Sequence, residues 1–89
     1  MPQVSGNPEE LIRFASALAH YLDSLEVETN NLKNSFGILG DTWQDEKRAA
    51  FEEQFNMLMG QIEQFKSSCD EQIPYLQSLA EKLQEYLGS

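Results

Sequence analysis

The residues whose side chains could carry chemistry are few and far apart. His20 is the only histidine and Cys69 the only cysteine in the sequence. His20 falls off the apolar positions of its segment, so we interpret it as a solvated side chain. Cys69 falls on an apolar position, which is typical of a small buried hydrophobic residue. Neither has partners spaced to complete a zinc site. The sequence therefore predicts no catalytic residue, no metal ligand and no cofactor.

Acidic residues gather near the middle of the chain, yet they lack the spacing of a calcium loop. The run consists of Asp41, Asp45, Glu46, Glu52 and Glu53. Because Lys47 and Arg48 interrupt it, we interpret the run as a solvated helix face with compensation of the helix dipole. No nucleophile elbow or phosphate-binding loop is present either. We therefore predict that the protein is not an enzyme.

The amino-acid composition limits the classes of partner that the protein could bind. The 89 residues hold 15 acidic and 6 basic side chains, a formal charge of −9, which disfavours nucleic acid and anionic lipid surfaces. No apolar run is long enough for a membrane span or a secretory signal peptide. We expect one cytoplasmic domain over 1–89, with no membrane insertion, or a protein secreted by a route that needs no signal peptide.

Two long periodic segments predict a helical hairpin. The first helix is expected over about 7–39, with Asn7 as its N-cap, Pro8 at the first helical position and Gly40 as its stop. The second is expected over about 43–87, kinked near Pro74, with a break at 68–73 as the alternative. Residues 1–6 are expected to be flexible.

The bend is predicted at 40–42. Gly40 is placed where a residue of positive φ commonly ends a helix, and Asp41 or Thr42 could cap the next one. Thr42 and Asp45 together resemble a capping box. Trp43 lies at this bend, where its ring is expected to cover the open end of the hairpin by packing on nearby apolar side chains.

Apolar residues recur at heptad spacing in both helices and predict a seam. Its candidate core and dimer residues are Leu11, Leu18, Leu22, Leu25, Leu32, Phe36, Leu39, Phe55, Leu58, Ile62, Phe65, Leu76, Leu79 and Leu83. If the chain folds back evenly about residue 41, the segment after Pro74 overhangs the first helix. A lone hairpin would also leave one side of its seam exposed. We therefore predict an all-α antiparallel hairpin that dimerises into a four-helix bundle.

The bend residues also carry a family resemblance. A helix opening on Asn7 and Pro8, a turn holding Trp43, and an aromatic eight residues later at Phe51 resemble the WXG-motif (ESAT-like) family of small type VII secretion proteins. The resemblance spans nearly the whole chain and implies an antiparallel hairpin that dimerises. Its bend motif maps onto Gly40, Trp43, Asp45 and Phe51, with Asp45 in place of the motif glycine.

Two functions follow as hypotheses. The first is a WXG-like substrate or co-substrate of a type VII-like secretion system that acts as a homodimer. The second is a cytoplasmic adaptor or targeting chaperone, which forms a heterodimer with a related hairpin or with the N-terminal region of a larger effector or toxin. Family export signals place a tyrosine four residues before an acid, whereas Tyr75 precedes Leu79 and Tyr86 precedes only Leu87, Gly88 and Ser89. This departure favours the second hypothesis, and similarity along the full hairpin favours the first.

Overall fold

The computed structural model describes residues 6–88 as two long antiparallel helices. Helix α1 runs over Pro8–Leu39 and helix α2 over Glu46–Gly88. The hairpin measures 66 × 23 × 14 Å, an elongated rod one helix thick. The predicted helical hairpin is confirmed. Residues 1–5, to which most of the predicted flexible N-terminus belongs, lie outside the described residues.

The start of α1 follows its sequence signals. The Asn7 side-chain oxygen accepts hydrogen bonds from the backbone N–H groups of Glu9 at 2.8 Å and Glu10 at 3.3 Å. These bonds satisfy two donors that have no partner within the first helical turn. Pro8 takes the first helical position, where its missing N–H costs nothing. The predicted cap and helix start are confirmed.

The bend differs from the prediction in two respects. Gly40 has φ −61° and ψ −21°, a right-handed conformation, so the expected positive φ is wrong. The chain instead tightens through successive bonds, among them the Asp41 N–H to the Ile38 carbonyl at 3.0 Å and the Trp43 N–H to the Leu39 carbonyl at 3.0 Å. The connection therefore spans 40–45 and is longer than the predicted 40–42.

The cap of α2 is Asp45, and neither Asp41 nor Thr42 fills that role. The Asp45 carboxylate accepts from the Lys47 N–H at 2.9 Å and the Arg48 N–H at 3.1 Å. The Thr42 hydroxyl instead donates back to the Leu39 carbonyl at 3.4 Å. The helix consequently begins at Glu46, three residues later than expected, because the connection needs those residues to reverse the chain.

Helix α2 continues through Pro74 without interruption. The alternative of a break at 68–73 is therefore wrong. The apolar pattern keeps its phase across the proline, and packing of that stripe on α1 offsets the hydrogen bond that Pro74 cannot donate.

The predicted overhang of α2 is also wrong. Ala80 is completely buried, and a Cβ placed on Gly6 would lie 3.4 Å from a methyl group of Leu83. The last turns of α2 therefore lie beside the start of α1. The register explains this, because Phe36 stacks on Phe55, so the first turn of α2 extends beyond the end of α1 and takes up part of the difference in length.

The core is a narrow strip between the helices. Its buried residues are Ala15, Leu22 and Thr29 from α1, and Phe55, Met59 and Ala80 from α2. The rows that contain Leu22 and Phe55 were predicted from the heptads. A second α2 row, in which Met59 and Ala80 lie, was not. Lys66 and Ile73 occupy the same row at seven-residue spacing, and the lysine interrupts its apolar pattern.

Candidate interaction surface

The bend end is built from four neighbouring aromatic rings. Trp43 lies 6.1 Å from Phe51, Phe51 lies 5.8 Å from Phe36, and Phe36 stacks on Phe55 at 4.5 Å between ring centroids. Trp43 is half-buried and touches the row through Phe51. The rings join the last turn of α1 to the first three turns of α2 and fix how the chain reverses.

Asp45, at the glycine position of the WXG motif, acts here as a helix cap. Among the described residues the only positive φ belongs to Gly6, so the backbone at Asp45 imposes no need for glycine. Asp is among the strongest N-cap residues, and glycine is a weaker one. Asp45 therefore supplies a side-chain acceptor for two backbone donors at the start of α2.

The Arg48 side chain packs against residues of both helices at the bend. Its guanidinium carbon lies 5.3 Å from the centre of the Phe36 ring, and one of its nitrogens is 3.6 Å from a Glu52 carboxylate oxygen. A Cβ on Gly40 would approach this guanidinium to 2.5 Å. Gly40 thus provides space for Arg48, which is a different reason for glycine than the positive φ that the sequence suggested.

One face of the hairpin exposes large apolar side chains from both helices. We call it the outer face, and its members are each between 43 and 58% exposed: Phe14, Tyr21, Leu32, Leu39, Phe51, Leu58 and Phe65. The rings of Tyr21 and Phe65 meet edge to face across the two helices at 6.4 Å. The face is therefore continuous from one helix to the other.

An apolar groove of about 330 Å³ opens on the outer face near the bend. Its lining is Leu32, Ser35, Phe36, Leu39, Phe51, Phe55 and Leu58. No charged side chain lines it, and Ser35 is its one polar residue. A concave apolar surface of this kind suits an apolar side chain from another protein.

Charges are sparse on and around the outer face. On α2 the positions three residues after Phe51, Leu58 and Phe65 flank the face. They hold Gln54, Gln61 and Ser68, all uncharged. On α1, Glu28 follows Tyr21 by seven residues and is the one acid in that part of the face. The acidic residues of α2 lie in other rows. Most of the acidic side chains that give the chain its charge of −9 therefore lie away from the outer face.

The predicted seam residues divide between the two surfaces. Leu22 and Phe55 are buried, whereas Leu32, Leu39, Leu58 and Phe65 are exposed on the outer face. The others are half-buried: Leu11, Leu18, Leu25, Phe36, Ile62, Leu76, Leu79 and Leu83. Heptad spacing thus located two of the three apolar rows in each helix, and it did not separate the inner rows from the outer ones.

The structure brings no chemical cluster together within residues 6–88. His20 is exposed and Cys69 is half-buried. No group of three histidine, cysteine or acidic residues in this part of the chain could hold a metal ion. Neither α1 nor α2 is apolar over a length that would let it cross a membrane. The surface that remains to be explained is the apolar one.

Comparison with known proteins assigns the chain to a family. Residues 3–86 match the WXG100 family, described as proteins of 100 residues with WXG. No curated protein and no solved structure matches the chain. Because the match covers nearly all of the sequence, this chain belongs to the WXG100 family. Members of the family are small, non-enzymatic helical proteins that type VII systems secrete without a signal peptide, and they typically dimerise.

Proposed function

We propose that this WXG100 protein is a non-enzymatic substrate or co-substrate of a type VII-like secretion system, and that it acts as a homodimer formed through the outer face. On this proposal the chain is made in the cytoplasm, pairs with a second copy into a four-helix bundle, and leaves the cell as a folded pair without a signal peptide.

The observation that carries the proposal is the exposed apolar area of the outer face. Four of its seven members are aromatic and roughly half exposed. Since an aromatic side chain buries about 150–250 Å², these four alone offer on the order of 400 Å² per copy. A standard interface buries about 800 Å² per partner. The three leucines and the half-buried rows beside them bring the face close to that size.

The distribution of charge supports pairing of identical chains. Two chains of charge −9 repel each other, but the acids lie mainly off the outer face. At physiological salt, exposed charges separated by more than about 8 Å are largely screened. Burial of the aromatic side chains can therefore outweigh the repulsion.

The alternative is a cytoplasmic adaptor or targeting chaperone that pairs with a larger effector or toxin. The observation that favours it is Leu79, which stands four residues after Tyr75 where the family export signal has an acid. On this alternative the chain depends on a partner for export. The same outer face would then bind a related hairpin or a helical N-terminal region of the effector.

Sedimentation equilibrium of the purified chain, from low to high micromolar concentration with helicity followed in parallel, tests the homodimer. We expect a highly helical dimer. Leu58→Glu should abolish it, because a carboxylate would be buried without a partner. Met57→Glu is the matched control, since Met57 is comparably exposed but lies off the outer face. A helical wild-type chain that stays monomeric throughout this range would contradict the proposal.

Export distinguishes the two functions. The tagged chain is produced in its own cells with the secretion ATPase active or inactivated. Extracellular accumulation that depends on the ATPase supports the substrate. Retention of the chain in the cell supports the adaptor if a larger exported protein binds it. That binding should be lost when the chain carries Leu58→Glu and kept when it carries Met57→Glu.

A further inference from the structure

The outer face carries one acidic side chain among its apolar ones. Glu28 continues the row of Phe14 and Tyr21 at seven-residue spacing, and it is exposed. No ion pair within residues 6–88 includes it. The positions one helical turn before and after it on α1 are uncharged, and they hold Ser24, Leu25, Asn31 and Leu32. Glu28 is therefore a carboxylate without a cation on an otherwise apolar surface.

Helix α2 supplies no cation beside Glu28 either. The ring of Tyr21 meets that of Phe65 across the two antiparallel helices. Seven residues further along α1 and seven residues back along α2, Glu28 and Leu58 lie at the same level of the hairpin. The positions that flank Leu58 on this side hold Gln54 and Gln61. The surface around the carboxylate is thus uncharged on both helices.

The lysines nearest the outer face lie towards the two ends of the hairpin. Lys47 and Lys82 are 11 and 24 residues from Leu58, which is about 16 and 36 Å along α2. The other basic side chains belong to rows off the outer face: Arg13, Lys33, Arg48 and Lys66. Because Glu28 lies near the middle of α1, a second copy in either orientation also keeps these lysines at least about 15 Å from it along the helices. An identical face therefore offers Glu28 no cation.

We infer that Glu28 is a charge gate on the outer face: its ionised carboxylate opposes pairing with a second copy, and pairing takes up a proton from solvent at this residue. A carboxylate buried without a partner is costly, and a dimer also brings the two Glu28 charges closer together. Tyr21 is the other titratable side chain of the face near this level, in either copy. The inference rests on the proposed homodimer and states what regulates it.

The gate gives the homodimer a direction of response to pH. Because the dimer holds protons at Glu28 that the separate chains release, association strengthens as the pH falls. Glu28→Gln removes the charge and should strengthen association without a change of pH. High salt separates this effect from the overall charge of −9, since salt screens repulsion between distant exposed charges much more than the cost of burying a carboxylate.

Two variants of equal charge test the gate by sedimentation equilibrium in about 0.5 M salt. We expect Glu28→Gln to dimerise at least tenfold more tightly than the wild-type chain at neutral pH. Glu26→Gln is the matched control and should change the affinity less than twofold. Glu26 is also exposed, but it lies about 200° around α1 from Glu28. Mild acid should tighten the dimer of the wild-type chain and of Glu26→Gln, and it should leave that of Glu28→Gln unchanged.

The outcomes separate the gate from the homodimer itself. Equal affinities in Glu28→Gln and Glu26→Gln overturn the gate and leave the proposed homodimer standing. A wild-type chain that stays monomeric while Glu28→Gln dimerises supports the gate and contradicts the proposed homodimer. If all three chains stay monomeric, both are overturned. Circular dichroism of each chain confirms that the substitution leaves the helices folded.

Discussion

Two rows of α2 have similar spacing but begin in opposite environments. Phe55 is 8% exposed and stacks on Phe36, whereas Phe51, one helical turn earlier, is 48% exposed. Both rows continue at seven-residue spacing with mainly apolar side chains, interrupted only by Cys69 in the row of Phe55 and Gln72 in the row of Phe51. The inner row holds the hairpin together, and the outer row is available to a partner. Rows of identical periodicity therefore have two different roles, and the side of α2 that packs against α1 decides which row is the inner one.

The largest expected effect separates these two rows. Phe55→Ala should destabilise the hairpin by about 3–5 kcal/mol, the usual cost of removing a buried aromatic side chain. Phe51→Ala should cost much less within the single chain, because about half of that side chain is already in water. Its main effect should be on dimerisation. Thermal melting at several protein concentrations checks both expectations. The loss of stability in Phe55→Ala should appear at every concentration, because it affects the single chain.

The comparison would fail if the two variants lost equal stability at low concentration. That result would mean that Phe51 supports the hairpin through its contacts with Phe36 and Trp43 as much as Phe55 does. A circular dichroism signal that retains its helical shape in Phe51→Ala confirms that the variant has folded before its association is measured.

Trp43 lies between the two environments, half-buried at the end of the aromatic row. We expect Trp43→Ala to lower the free energy of unfolding by about 2 kcal/mol, less than for a fully buried ring. Trp43→Phe should recover most of that loss, because a phenyl ring can still meet Phe51. Denaturant melts check both variants. An unchanged melt with lost partner binding would instead identify Trp43 as a recognition residue.

A smaller effect on stability is expected at Asp45, where a single carboxylate accepts two hydrogen bonds. Asp45→Ala should destabilise the chain by about 1 kcal/mol, since two backbone donors of α2 lose their acceptor. Asp45→Gly, which restores the family motif, should cost only a few tenths of a kcal/mol. Thermal melts of the two variants provide the measurement. Equal losses would show that the carboxylate contributes more than capping at this position.

The helices were predictable because their signals are local. Asn7 and Pro8 mark the start of α1, and the unbroken heptad phase indicates that α2 continues through Pro74. The register was not predictable from those signals, since it depends on how six connecting residues turn. That register brings Ala80 beside the start of α1 and buries Met59. The outer face was located in part, because Leu58 and Phe65 were found by spacing, but spacing cannot show which rows remain in water.

The smallest expected effects on stability come from replacing glycine by alanine at two positions, Gly60 and Gly40. A Cβ on Gly60 would have no atom within 4 Å. Gly60→Ala should therefore stabilise α2 by about 0.5–1 kcal/mol through reduced backbone freedom in the unfolded chain. At Gly40 a Cβ would displace the Arg48 guanidinium from Phe36. Gly40 has a helical φ, which alanine also adopts. A Cβ there would also lie 3.2 Å from the Gly37 carbonyl oxygen, so a loss of stability in Gly40→Ala reports crowding against Arg48 and this carbonyl together. Melting temperatures that shift in opposite directions would show that crowding at the bend is what requires glycine there, and a gain at both positions would show that Arg48 can move at no cost.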